Sequence, residues 1–388
     1  MQTLFRTVSY VSILKWKAGE RQALSTLRGS HRGRLAPLFL MPPSGDFDHE
    51  TGRRLTPLEH IRLFGKRLYD VWGRSPVFVD AIGIDDETHR QGLTVHPLTE
   101  LLGRAHAARA LACPATTMDR SPEYQEAVRR FVERHEHLPI CIRVTPIDME
   151  SGRFSSDLLA LLERLGCGPD RVALVLDFSS MGALKAQEVE PFAEVLAERI
   201  YSLPAPLGWL KVVTAFTSFP KALKMKPNEV KLFPRTDWMT YCRLIEREPD
   251  LIQRVAFADY AVDTAPFVIS KGNATPSAHL RYTTPTDYLV VKGEQAKKPL
   301  GYRAIYPVAD ILAGREEFEG ASFSDGDAFI SRLAARDPEI TTGNAATWRW
   351  ASTDHHLARV LGDLKVLAGN DGEDEAVAPK FEFQGSLF

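Results

Sequence analysis

The sequence predicts an α/β fold, a (β/α)8 TIM-type barrel with a C-terminal α+β elaboration and a disordered acidic tail. Residues 171–177 (RVALVLD) are apolar on both alternating faces, which is typical of a parallel strand buried on both sides. Eight such runs occur, and most precede a helical or turn segment, as in a closed barrel. The chain has 388 residues, more than the roughly 250 that an undecorated barrel needs.

The predicted strands, in chain order, are Tyr10–Trp16, Pro37–Met41, Pro76–Ala81, Ala110–Pro114, Ile140–Val144, Val172–Asp177, Leu210–Phe216 and Val255–Asp259. We expect the barrel to cover residues 1–265. A C-terminal elaboration packed on it covers 266–368, where the sequence predicts two short strands and two helices, the second of them over Asp354–Leu367. The acidic, aperiodic residues 369–388 are predicted to be a disordered tail.

The composition of the chain excludes some classes of protein. The net charge of −2 argues against a surface that coats nucleic acid, so any such contact must be local. The four cysteines form no CxxC pair, and no apolar run approaches the roughly 18 residues of a membrane span. We therefore expect a cytoplasmic protein without membrane contact or a structural zinc site, and the sequence identifies no cofactor or particular bound metal.

Three predicted strands end in aspartate. Barrel enzymes carry their chemistry at the carboxyl ends of the strands, so Asp80, Asp177 and Asp259 are the catalytic candidates, as a general base or as ligands of a catalytic ion. Arg143 is a charge within an apolar strand, where an arginine is rarely buried without a partner. We expect it to face the lumen, paired with Asp177 or Asp80, in a structural or a substrate-binding role.

Basic residues follow the first and the seventh predicted strand. Lys15 or Lys17 is placed to contact an anion, and strand alternation allows only one of them to point inward. The alternative is a lysine–Glu20 pair that braces the first loop.

The connection 217–234, predicted to be structureless, carries Lys221 and Lys224 at a position where barrels often hold a phosphate. A merely solvated loop is the alternative there. The candidate ligand-binding residues are Lys15, Lys17, Arg143, Lys221 and Lys224.

Several segments together resemble the bacterial and phage "beta protein" family. They are residues 10–20 (YVSILKWKAGE), 235–238 (RTDW), 259–260 (DY), 281–283 (RYT), 323–327 (FSDGD), 343–344 (GN), 348–349 (WR) and 355–357 (HHL). Ala258 stands where the family pattern has glycine. The resemblance implies a prokaryotic or phage protein whose relatives are encoded near mobile-element and defence loci. The family has no established activity, so no catalytic residue is carried over.

The last residues, 381–388 (FEFQGSLF), place apolar side chains after a polar spacer. Gln384, Leu387 and Phe388 resemble the QxxLF peptide that docks replication and repair proteins on the DNA polymerase sliding clamp. This resemblance implies an accessory protein of DNA replication, repair or phage defence, with a barrel that binds a phosphate-bearing ligand, a nucleotide or nucleic acid. The alternative is a stand-alone hydrolase or phosphoesterase whose tail folds back as a latch.

Overall fold

The computed structural model describes residues 5–43, 47–48, 51–85, 90, 92–180, 184–205, 208–265, 275–297 and 299–369. Its strands are β1 (Tyr10–Lys15), β2 (Leu38–Leu40), β3 (Phe47–Asp48), β4 (Arg53–Arg54), β5 (Pro76–Asp80), β6 (Leu111–Thr117), β7 (Ile140–Val144), β8 (Val172–Ser180), β9 (Lys211–Thr217), β10 (Glu229–Pro234), β11 (Val255–Asp259), β12 (Ser277–Thr283) and β13 (Asp287–Gln295). The parallel strands β1, β2, β5, β6, β7, β8, β9 and β11 close a barrel in that order. The predicted barrel is therefore confirmed.

The helices of the described residues lie outside this barrel. They are α1 (Ala18–Thr26), α2 (Gly29–Arg32), α3 (Pro57–Trp72), α4 (Pro97–Ala107), α5 (Pro122–Arg134), α6 (Pro146–Glu150), α7 (Phe154–Leu165), α8 (Ala186–Tyr201), α9 (Thr236–Arg247), α10 (Tyr306–Ala313), α11 (Asp325–Ala334) and α12 (Ala345–Leu367). The capping box of Thr56 and Glu59 at the start of α3 shows how local sequence fixes these boundaries. Within the described ranges, no helix has the length and apolar character needed to cross a bilayer.

An antiparallel sheet stands beside the barrel, with its strands in the order β10, β13, β12. Strand β10 lies within the connection 217–234, so the prediction that this connection is structureless was wrong. Residues 229–234 (EVKLFP) carry a weak alternation, and the strand forms by pairing with β13, more than 50 residues further along the chain. Only the folded chain supplies that partner.

The last helix, α12, joins the antiparallel sheet to the barrel. It packs on β1, α1 and β12, and its residues Leu357, Val360, Leu361 and Leu364 belong to the apolar core of the barrel. The predicted helix began at Asp354, whereas α12 begins nine residues earlier, at Ala345. The tail with Gln384, Leu387 and Phe388 lies outside the described residues.

Candidate anion-binding site

Arg143 occupies the centre of the barrel mouth. Its Nη1 donates to Asp80 Oδ2 at 2.6 Å, and its Nε and Nη2 both donate to Asp177 Oδ2, at 3.2 and 2.5 Å. The Tyr260 hydroxyl donates to Asp177 at 2.7 Å. The pairing of Arg143 with the two aspartates, expected from the sequence, is present, and we call Asp80, Arg143, Asp177 and Tyr260 the mouth cluster.

The mouth cluster is saturated by its own contacts. Arg120 donates to the other oxygen of Asp80 at 2.8 Å, and the backbone N–H of Ser179 donates to Asp177 Oδ1 at 2.8 Å. Burial alone would lower the pKa of Arg143, but the adjacent carboxylates raise it well above its usual value. The guanidinium therefore stays charged and holds both aspartates.

Asp259 does not join this cluster. Its carboxylate accepts a hydrogen bond from the Tyr10 hydroxyl at 2.6 Å, and its Oδ2 lies 2.8 Å from His356 Nε2 on α12. Asp259 and Phe257 are two residues apart on β11 and therefore point to the same face of the strand. The Phe257 ring contacts Trp238 on α9, so this face lies outside the barrel. Since both faces of these strands are apolar, the sequence pattern does not show which face a terminal aspartate takes.

A basic pocket opens at the carboxyl ends of β1, β9 and β11. Its volume is about 410 Å³. The residues that line it and carry charge are Lys15, Lys17, Glu20, Lys221, Asp263, Arg281 and Arg349. Phe219, Pro220 and Leu223 form an apolar wall on the same side as Lys221. A pocket of this size, with charged groups converging on one side and apolar groups on another, suits a small organic anion.

Asp263 is the hub of the charges in the basic pocket. Its carboxylate lies 3.1 Å from Lys15 Nζ, and 3.4 Å from an Nη1 atom of each of Arg281 and Arg349. Burial alone would raise the pKa of Asp263, but these three cations lower it well below its usual range. Asp263 therefore contacts three cations, and Glu20 is the second acid near Lys15 and Arg281.

Arg281 shows the effect of this imbalance. Burial, and then the neighbouring Arg349, lowers the pKa of Arg281 to about 9, which means that the site disfavours its own positive charge. The guanidinium lies over the Phe219 ring at 4.9 Å, and its Nε makes no hydrogen bond within the described structure. An anion in the pocket would relieve both conditions.

Two helix N-termini meet at the basic pocket. The side chain of Lys17, at the N-cap position of α1, does not cap the first turn of that helix. Ala345 and Ala346, at the start of α12, line the same pocket. A Cβ at Gly19 would lie 2.7 Å from the Ala346 carbonyl oxygen, so only glycine permits this close approach. The start of α1 therefore favours an anion here, whereas the N–H groups of Ala346 and Thr347 in α12 already donate to the Asn344 side chain.

The structure brings together part of the predicted ligand-binding set. Lys15, Lys17 and Lys221 line the basic pocket, whereas Arg143 belongs to the mouth cluster and Lys224 is exposed and does not line the pocket. The expectation that only one of Lys15 and Lys17 faces the site was wrong. Strand β1 ends at Lys15, so the alternation of a strand does not reach Lys17.

Sequence reasoning missed Asp263, Arg281 and Arg349 as members of the site. Arg281 and Arg349 fall within segments that carry the family resemblance, which was the available signal. Arg281 lies on β12 and Arg349 on α12, and both belong to the part of the chain interpreted as an elaboration. Arg281 and Arg349 lie at the barrel mouth because the C-terminal elaboration packs against the barrel, and the local sequence does not show this packing.

The fold and the site together define a (β/α)8-barrel protein with a basic pocket at the carboxyl ends of its strands. The sequence profile of the Beta protein family matches residues 10–362, which confirms the resemblance. The chain belongs to the Beta protein family.

Solved structures with a similar fold are distant. A glycoside hydrolase family 5 enzyme from Prevotella bryantii B14, in complex with a xyloglucan tetradecasaccharide, is 8% identical with a TM-score of 0.36 over 64% of this chain and 81% of that chain. A broad-specificity endoglucanase from an uncultured bacterium is 8% identical with a TM-score of 0.34 over 62% and 79%. No curated protein matches the chain. At these values, neither structure informs the chemistry of the pocket.

Proposed function

We propose that the barrel binds a small phosphate-bearing ligand, such as a nucleotide, in the basic pocket. The observation that carries this proposal is the sharing of Asp263 by Lys15, Arg281 and Arg349, which leaves an excess of positive charge in a partly enclosed cavity. The cationic side chains that line the pocket outnumber the two acids in the lining, Glu20 and Asp263. Charged groups shielded from water interact more strongly than charges on an open surface.

The position of the pocket supports phosphate in particular. In (β/α)8 barrels, the loops after the seventh and eighth strands often hold a phosphate group, and a helix N-terminus often helps. Here Lys221 follows the seventh strand, β9, and Asp263 follows the eighth, β11. The net charge of the whole chain is −2, so the attraction for an anion is local to this pocket.

The mouth cluster supports binding over hydrolysis. A general base or a ligand of a catalytic ion needs a carboxylate that can reach the substrate. Asp80 and Asp177 are buried, and their oxygens accept hydrogen bonds from Arg143 and its neighbours. These contacts favour a stable scaffold beneath the basic pocket.

Titration calorimetry with inorganic phosphate tests this proposal. Lys221→Ala removes a pocket cation, and we expect it to weaken phosphate binding several-fold, with the remaining affinity falling as salt is raised. Lys224→Ala is the matched control, because Lys224 is an exposed lysine of the same loop that does not line the pocket. Equal loss in both variants, or no phosphate binding by the unmodified protein, would reject the proposal.

We also propose, from the sequence alone, that the segment containing Gln384, Leu387 and Phe388 docks on the DNA polymerase sliding clamp. Its match to the QxxLF peptide supports this second role. Burying the two apolar side chains contributes roughly 1.5–3 kcal/mol each. After the cost of ordering the peptide, the expected dissociation constant is in the micromolar range. The protein would then bring a phosphate-binding barrel to replication, repair or defence complexes.

A further inference from the structure

Glu20 is a buried acid in the wall of the basic pocket. The residue is 5% exposed and lines both the pocket and a smaller cavity beneath it. Its Oε2 atom makes no hydrogen bond to any described residue. A buried carboxylate oxygen without a donor is costly, so this position favours a ligand that supplies one.

A phosphate group does not meet this need. At neutral pH, its oxygens are mainly acceptors, and they would be repelled by the Glu20 carboxylate while Lys15 and the two arginines attract them. The donor must therefore come from another part of the same ligand. The apolar wall of Pro220 and Leu223 provides a surface for a carbon skeleton between the two groups.

We infer that the ligand of the basic pocket is a hydroxylated phosphate ester of the sugar phosphate class, and that the Glu20 carboxylate accepts a hydrogen bond from one of its hydroxyl groups. This inference rests on the proposed function, because the phosphate group is placed by the pocket cations. Glu20 then acts as the residue that selects the organic part of the ligand. A site built to bind a hydroxyl discriminates strongly against analogues that lack it.

The test compares three probes by titration calorimetry: inorganic phosphate, methyl phosphate and ribose 5-phosphate. A hydrogen bond to a charged group predicts that the wild-type protein binds ribose 5-phosphate about tenfold or more tightly than methyl phosphate. Glu20→Met keeps the approximate size of the side chain and removes both its charge and its acceptor oxygens. In this variant, we expect the ratio to fall towards one, while inorganic phosphate binds as tightly as before or more tightly.

These opposite changes distinguish a loss of hydroxyl recognition from misfolding, because a misfolded variant would lose affinity for all three probes. The affinity ratio of the wild-type protein provides a test that does not depend on the variant. No preference in the wild-type protein, or a preference that Glu20→Met retains, overturns the inference and leaves phosphate binding intact. Failure of all three probes to bind the wild-type protein overturns the proposed function as well.

Discussion

Arg143 and Asp177, which lie on the adjacent strands β7 and β8, are joined by two hydrogen bonds to a single carboxylate oxygen, Asp177 Oδ2. The remaining Nη1 of Arg143 reaches across the barrel mouth to Asp80. One guanidinium therefore neutralises two buried acids from different strands. Arg143 is the cation that joins the two acids, and Arg120 adds a second cation at Asp80.

We expect Arg143→Met to destabilise the protein by about 3–5 kcal/mol, because it leaves the buried Asp177 carboxylate without its cation and leaves Asp80 with Arg120 alone. Urea unfolding followed by circular dichroism measures the change. Arg153→Met is the control, since the Arg153 side chain is 83% exposed and its removal should change the free energy of unfolding by less than about 0.5 kcal/mol. A similar small effect of both substitutions would contradict the prediction.

Asp263 should contribute a stability that depends on pH. Its folded pKa lies below the ordinary value near 4, so its contribution is present above about pH 4 and is lost as the pH falls towards the folded pKa. We expect the free energy of unfolding to decline between pH 5 and pH 3, and to decline less steeply in Asp263→Asn. Identical slopes for the two proteins would show that Asp263 is not coupled to the pocket cations.

The barrel was predictable from the sequence, whereas the site was predictable only in part. Runs such as Val172–Asp177 are apolar on both faces, and few structures other than a buried parallel strand satisfy that pattern. Because both faces of such a strand are apolar, the pattern does not show which way the terminal aspartate points. Asp177 joins the mouth cluster and Asp259 faces the outside of the barrel, although both end a similar strand.

The arginines of the pocket illustrate a second limit. Local pattern places Arg281 and Arg349 on a strand and near a helix start, but their distance to Lys15 is set by packing between distant segments. The weakly alternating strand β10 was missed for the same reason, since its partner β13 is remote in sequence. Periodicity identifies elements, and it does not identify which elements meet.

Gly19→Ala tests the contact between the two helix starts. The new methyl group would lie 2.7 Å from a backbone oxygen of Ala346 and 2.8 Å from Arg349 Cγ, so α1 and α12 must separate. We expect a loss of about 1–3 kcal/mol in the free energy of unfolding and weaker phosphate binding.

The control for this substitution is Gly29→Ala, where a Cβ would meet nothing within 4 Å. We expect that variant to keep its stability or to gain slightly, because alanine restricts the unfolded chain more than glycine does. The prediction fails if Gly19→Ala is as well tolerated as this control.

The clamp-binding segment is tested by capture on purified sliding clamp. We expect the full chain to bind with micromolar affinity, and both Gln384→Ala and a chain lacking Leu387 and Phe388 to bind at least tenfold more weakly. Phosphate binding by the barrel serves as the internal control and should be the same in all three proteins. Equal capture of the three, or no capture of the full chain, would remove the clamp from the proposed function.

The basic pocket can form only after both α1 and α12 have been synthesised. Lys15 and Arg349, which share Asp263, are 334 residues apart in the sequence, so nearly the whole chain must leave the ribosome before they meet. The strands of the barrel can emerge and begin to pair well before α12 has been synthesised. A nascent chain that ends before Arg349 therefore lacks the complete pocket, and any ligand that binds there would report that synthesis has passed α12.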